Sequence, residues 1–156
     1  MRNKKTFILL FGLGISISSF AQFSAGLETG LAATNSPDIG SFGVGGSIRY
    51  EAPIQNKLSW ACGLGYSSFL ERIQDGYPTG NKIISISNGV KYYFLESANG
   101  LYAAVDLGLD ITSSKRGILS PGIGYRTSKW DFTGRYNAIS EANYFSLRAA
   151  YVFRLK

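Results

Sequence analysis

After residue 22 the chain sorts its residues by parity. Leu58, Trp60, Cys62, Leu64 and Tyr66 alternate with Ser59, Ala61, Gly63, Gly65 and Ser67. Leu101, Ala103, Val105, Leu107, Leu109 and Ile111 alternate with Tyr102, Ala104, Asp106, Gly108 and Asp110. Phe145, Leu147, Ala149, Tyr151 and Phe153 alternate with residues that include Ser146, Arg148 and Arg154. A period of two means β-strand, because successive side chains point to opposite faces of a sheet. The pattern predicts eight strands, at 23–31, 41–52, 58–70, 82–94, 101–112, 117–126, 129–138 and 143–154. Tight connections fall at 53–57, 95–100 and 127–128. The segments 32–40, 71–81, 113–116 and 139–142 alternate with them and are mostly longer and more polar, carrying Pro37, Pro78, Gly76 and Gly80. An even strand count with short turns at one end and longer loops at the other is the plan of a transmembrane β-barrel.

Bulk decides which face turns outward. The bore of an eight-stranded barrel is only wide enough for side chains to fill it. Phe23, Leu27, Ile48, Leu64, Ile86, Leu107, Ile123, Phe132 and Phe145 belong to a set of rings and branched chains that would overfill it. The other face carries Gly26, Gly43, Gly45, Ser47, Gly63, Gly65, Ser85, Ser87, Gly108, Gly122 and Gly124, which suit the crowded concave side. Aromatics band at the tight-turn end, with Tyr50, Trp60, Tyr92, Phe94, Tyr125, Trp130, Tyr151 and Phe153, as interfacial rings do where strands cross a bilayer. Phe42, Tyr66, Tyr136 and Phe145 mark the loop end, and aliphatic residues lie between.

Charge follows the small-residue face. Glu28, Arg49, Glu51, Lys91, Asp106, Asp110, Arg126, Asp131, Arg135, Arg148 and Arg154 share its parity. Near balance of signs suits a sealed, salt-bridged interior, because a buried charge needs a partner. Thr29 and Asn88 are the polar exceptions on the apolar face, and Asn88 reads as a register slip or bulge in the fourth strand.

Residues 1–21 form a separate unit. Arg2, Lys4 and Lys5 precede the uncharged apolar run Phe7 to Phe20, and Ser19-Phe20-Ala21 supplies small residues two apart. This is the layout of a cleaved signal peptide, with processing expected after Ala21 and one barrel domain over 22–156. The run is shorter than the roughly 20 residues of a membrane-spanning helix. Removing its three bases reduces the net charge of +6 to about +3. The remaining bases are scattered, so nucleic acid is not an expected partner. The single cysteine, Cys62, excludes an intramolecular disulfide and reads as a small hydrophobe within its strand.

The signal-peptide end Ala21-Gln22, the eight-strand rhythm and the last strand, Tyr144 to Phe153, resemble the small outer-membrane β-barrel proteins of Gram-negative bacteria. The chain is especially similar to the loosely defined outer membrane beta-barrel domain, or porin-like, proteins of Bacteroidota. Tyr151-Val152-Phe153 resembles their C-terminal assembly signal, but the chain continues through Arg154-Leu155-Lys156 and has Ala149-Ala150 where that signal often has glycine. The resemblance implies the barrel-assembly machinery as a partner during biogenesis. The family is functionally mixed, so it implies little chemistry.

The chain has no histidine, which excludes a Ser–His–Asp triad and histidine-based metal sites. Asp106 and Asp110 lie on one face two strand-steps apart, and the expectation is that arginines of neighbouring strands neutralise them. Gly43-Val44-Gly45-Gly46 lies inside a strand with no helix after it, so it is structural rather than a phosphate loop. Lys115-Arg116, at a loop tip, reads as a solvated turn, with lipopolysaccharide phosphate as the alternative. The expected protein is an all-β, antiparallel, up-and-down barrel of about eight strands. It is a monomer in the outer membrane, in contact with its lipid. It uses no cofactor, is not an enzyme, and has a side-chain-plugged interior with a structural or surface-interaction role. The alternatives are a narrow porin-like channel and an exported soluble ligand-binding calyx.

Overall fold

A computed structural model describes residues 21–33, 41–70, 72–74, 77–79, 82–95, 99–112, 115–140 and 143–154; side chains at 72–74, 77–79 and 154 are outside the description. The expected signal peptide, up to Phe20, also lies outside the described residues. The strands are β1 (Gln22–Ala32), β2 (Phe42–Gln55), β3 (Leu58–Phe69), β4 (Arg72–Gln74), β5 (Tyr77–Thr79), β6 (Lys82–Tyr93), β7 (Gly100–Asp110), β8 (Gly117–Arg126), β9 (Trp130–Ile139) and β10 (Tyr144–Arg154). Eight of them close a barrel in the order β1-β10-β9-β8-β7-β6-β3-β2. All pairings are antiparallel, and closure comes from β1 on β10, in register from Gln22 opposite Arg154 to Ala32 opposite Tyr144. Closure removes the unpaired edge that an open sheet would present.

Three expectations need correction. The segment 71–81 is not a plain loop: β4 and β5 pair there as a two-stranded hairpin between β3 and β6. β2 runs on past residue 52 to Gln55, with a register shift at Pro53 to Gln55. A bulge tolerates Pro53, which has no N–H to give to the ladder. Asn88 marks neither a slip nor a bulge, because β6 stays in register, with Asn88 opposite Cys62 on β3 and Leu107 on β7. Smaller differences fall at the ends: β7 stops at Asp110, and Ile139 belongs to β9 rather than to the following turn.

The parity reading of the faces agrees with the structure. Leu27 is 77% exposed, and Leu107, Ile123 and Leu147 are each 66% exposed. Arg49, Lys91, Asp106, Arg126, Asp131, Arg135 and Arg148 are buried inside. This reverses the polarity of a water-soluble protein. Outward rings touch across strands: Phe23 meets Tyr50 at 5.0 Å between centroids, Tyr50 meets Trp60 at 6.0 Å, and Trp130 meets Tyr151 at 5.6 Å. Asn88 Oδ1 accepts from the Trp60 indole N–H on the same outer face, so two polar groups there satisfy each other.

The inner face carries more than small and charged residues. At the loop end, Phe69, Ile83, Ile118, Ile139 and Tyr144 pack as a buried apolar cluster, with Phe69 and Tyr144 edge to face at 5.2 Å. At the turn end, Tyr93, Tyr102 and Ala104 form a second cluster. The β8–β9 ladder skips Ser120 and Pro121 without changing register. Proline has no N–H to donate, and Ser120 Oγ donates to Asn137 Oδ1 at 2.7 Å beside the gap.

Tyr102 is fully buried because its cross-strand partner is Gly124. A Cβ at 124 would stand 2.3 Å from Tyr102 Cζ and 2.6 Å from the Phe132 carbonyl oxygen, whereas one at Gly117 meets nothing within 4 Å. Gly124→Ala is predicted to destabilise the barrel by about 1–3 kcal/mol, the usual cost of overpacking, and Gly117→Ala to leave it unchanged. Urea unfolding of the two variants in detergent micelles checks this.

Candidate functional site

The lumen holds the candidate chemistry, because alternate residues of every barrel strand converge there. Strand order makes the reach of each ion pair visible. Arg126 on β8 and Glu51 on β2 stand on opposite sides of the eight-stranded ring, and Nη1 meets Oε2 at 2.7 Å. Lys91 on β6 reaches Asp131 on β9, three strands away, at 2.7 Å, and Glu51 at 3.0 Å. Two tyrosines complete this turn-end layer. Tyr93 donates to Glu51 at 2.7 Å and accepts from Arg126 at 2.9 Å. Tyr102 donates to Asp131, and its ring lies 4.4 Å from the Lys91 ammonium. Arg126 also donates to Gln22 Oε1, which ties β8 to the first barrel strand. Two carboxylates and two cations here neutralise each other with short contacts, as charges out of water require.

A second layer lies toward the middle. Arg49 on β2 meets Asp106 on β7 at 2.8 Å. Ser47 Oγ donates to Glu28 at 2.6 Å and accepts from Arg148 Nε at 2.8 Å, and Arg148 also donates to Ser24 Oγ at 3.0 Å. Arg148 stands 3.5 Å from Glu28 and 3.9 Å from Asp131, which links the two layers. Arg135 is the loosest member, 3.6 Å from Asp106 and 3.9 Å from Glu28. Asp110 stands apart at the loop end, where it accepts from Thr112 at 2.7 Å and faces Arg116 at 3.5 Å.

Glu28, Arg49, Glu51, Lys91, Asp106, Arg126, Asp131, Arg135 and Arg148 therefore come together in one lumen. Asp106 and Asp110 do not meet as a pair; each has its own arginine. Of the turn-end aromatics, Tyr50, Trp60, Tyr92, Phe94, Trp130, Tyr151 and Phe153 touch neighbouring rings on the outer face. Tyr125 is exposed on the same side. Tyr93 and Tyr102 are members of the network that sequence reasoning left out. Their parity with Lys91 and Asp106 is the signal that places them inside. Between the middle layer and the apolar cluster lies a polar cavity of about 30 Å³, bordered by Arg49, Asp106, Arg135 and several serines. This is about the room of a water molecule or two. Among the described residues, no group of three or more Cys, Asp or Glu is placed to hold a metal ion.

A scan against protein-family models gives no match, and neither does a search of curated protein sequences. Among solved structures, the chain is similar to Ail, the attachment invasion locus protein of Yersinia pestis, crystallised with the heparin analogue sucrose octasulfate. The TM-score is 0.55 at 12% identity, over 86% of this chain and 98% of that one. At that identity the likeness is one of fold: a closed, all-antiparallel, eight-stranded barrel.

The network generates a ranking. Lys91→Met leaves Glu51 and Asp131 buried beside each other with one cation fewer, and is predicted to cost about 3–5 kcal/mol. Lys129→Met, at an exposed turn, is predicted to change stability by no more than about 0.5 kcal/mol. Unfolding midpoints in urea, measured side by side, test the difference.

Proposed function

We propose that the chain is a non-enzymatic integral barrel of the outer membrane, a monomer whose loop end is its interacting surface and whose lumen does not conduct. The observation that carries this reading is the inverted polarity of the closed sheet. Its outer face is a continuous apolar band that includes Leu27, Val44, Ile48, Leu64, Val105, Leu107, Ile123 and Leu147. Among the described side chains of the barrel strands, the charges lie inside except Lys82, at the loop end of β6. Lipid rewards that arrangement and water penalises it. The strands of 10 to 14 residues match the length needed to cross a bilayer at a tilt. The outward rings at the turn end then sit at one interface.

The fold likeness is to an eight-stranded outer-membrane barrel, which supports the location. That neighbour is named for attachment and invasion, and the reading assigns this chain the same broad class of surface interaction. The β4–β5 hairpin, inserted beyond the loop ends of β3 and β6, adds to the surface available there. Opposed charges meeting across the bore, with the apolar cluster above them, support a closed lumen over a porin-like channel. A soluble calyx needs the apolar face inward, so the observed polarity argues against it.

The test is recovery and behaviour of the protein expressed with its N-terminal segment in a Gram-negative host. The reading predicts Gln22 as the first residue of the product, recovery in the outer-membrane fraction, and a gel band that shifts only after boiling. It also predicts no conductance steps in a planar bilayer. Leu107→Arg is predicted to cost about 2–4 kcal/mol when refolded into lipid vesicles, as a base on the lipid face near mid-depth does. Recovery in the soluble periplasmic fraction contradicts the location, and stable single-channel steps contradict the closed lumen.

A further inference from the structure

The middle layer of the lumen is not neutral. Three guanidinium groups, Arg49, Arg135 and Arg148, share two carboxylates, Glu28 and Asp106. The next carboxylate, Asp131, is held by Lys91 at 2.7 Å and stands 3.9 Å from Arg148. One positive charge is left over. Hydrogen bonding shows the same deficit at the same place. Arg135 lies 3.6 Å and 3.9 Å from its carboxylates, and its buried Nε and Nη2 have no acceptor. The buried Nη1 of Arg49 has none either. Both side chains are more than nine-tenths buried, and both line the polar cavity of about 30 Å³.

We propose that this cavity is a binding site for one small monovalent anion, with chloride as the physiological occupant, held by Arg135 and Arg49. The size and the charge select the class. A buried donor without an acceptor and a buried charge without a counter-charge both cost free energy. Water can satisfy the N–H groups but leaves the charge. A divalent or polyatomic anion overcompensates the single excess charge and exceeds a space of one or two waters. Ser85 and Ser87 border the cavity and offer hydroxyl donors to the ion. The apolar cluster of Phe69, Ile83, Ile118, Ile139 and Tyr144 covers the loop side. The ion is therefore captured as the barrel closes and exchanges slowly afterwards. The proposal rests on the interior geometry alone and is independent of the location of the barrel.

The test refolds the mature chain into detergent from urea in sodium chloride, sodium bromide or sodium gluconate at equal ionic strength. Crystals of the bromide sample should show an anomalous peak between Arg135 and Arg49. The temperature of the boiling-type gel shift should be higher in both halides than in gluconate. Raising chloride from one to a hundred times its dissociation constant should lower the unfolded fraction about 50-fold. Arg135→Met brings the layer to two bases and two acids, so this variant should unfold at the same temperature in all three salts. Gly65→Ser keeps every arginine but fills the cavity, where an added Cβ would stand 2.9 Å from Ser85 Oγ; it too should lose the halide dependence. No bromide peak overturns the proposal, as do equal midpoints for the wild type in all salts. A halide effect kept by both variants also overturns it.

Discussion

The narrow bore of a closed eight-stranded sheet governs the rest of this structure. Such a bore has room for side chains and little else, so any charge on the inner face must meet another charge. The consequence is visible in Arg126 and Glu51, which face each other from opposite strands at 2.7 Å. It is visible again in Lys91, which bridges Glu51 and Asp131. Small residues are the other consequence. Gly124 exists opposite Tyr102 because the ring occupies the space a Cβ would need. Gly63 plays the same part beside Arg49, whose Cγ would stand 2.9 Å from an added Cβ. Large polar side chains and glycines are therefore paired features of a single packing problem.

The outer face follows a different rule. Its apolar band contains polar residues such as Thr29 and Asn88, and Asn88 takes the indole N–H of Trp60. An amide and an indole that satisfy each other reduce the cost of placing either in an apolar medium. Pro121 raises the parallel question for the backbone, since a closed barrel has no edge on which to place a proline. The ladder is interrupted there, and the side chains of Ser120 and Asn137 bond beside the interruption.

The eight barrel strands, the two faces and the inward position of charges such as Arg49, Lys91, Asp106, Asp131 and Arg148 were legible in the chain, because all three follow from a period of two. The alternation from Leu101 to Ile111 places Asp106 inside and Leu107 outside without further information. Pairing across the lumen was not legible. Which base meets Glu51 depends on strand order, stagger and tilt, and those are set by all eight strands at once. The apolar cluster was missed for another reason. Phe69, Ile83, Ile118 and Ile139 have inward parity, but each stands near a strand end, where glycines and charges elsewhere on that face dominate its average composition. The β4–β5 hairpin was missed because two three-residue strands are too short to show alternation, and Gly76 and Pro78 read as turn residues. Asn88 reads as a fault in register from the chain alone because its partner, Trp60, lies on another strand.

The central claim is that the outer face of this barrel meets lipid and the inner face does not. The chain carries its own probes, since its two tryptophans, Trp60 and Trp130, both lie on the outer face at the tight-turn end. The direct measurement is tryptophan fluorescence of the refolded protein in vesicles whose lipids carry bromine at defined depths. The account predicts strong quenching when bromine lies just below the headgroups, and weaker quenching when it lies at the bilayer centre. Emission that no brominated lipid quenches would contradict it.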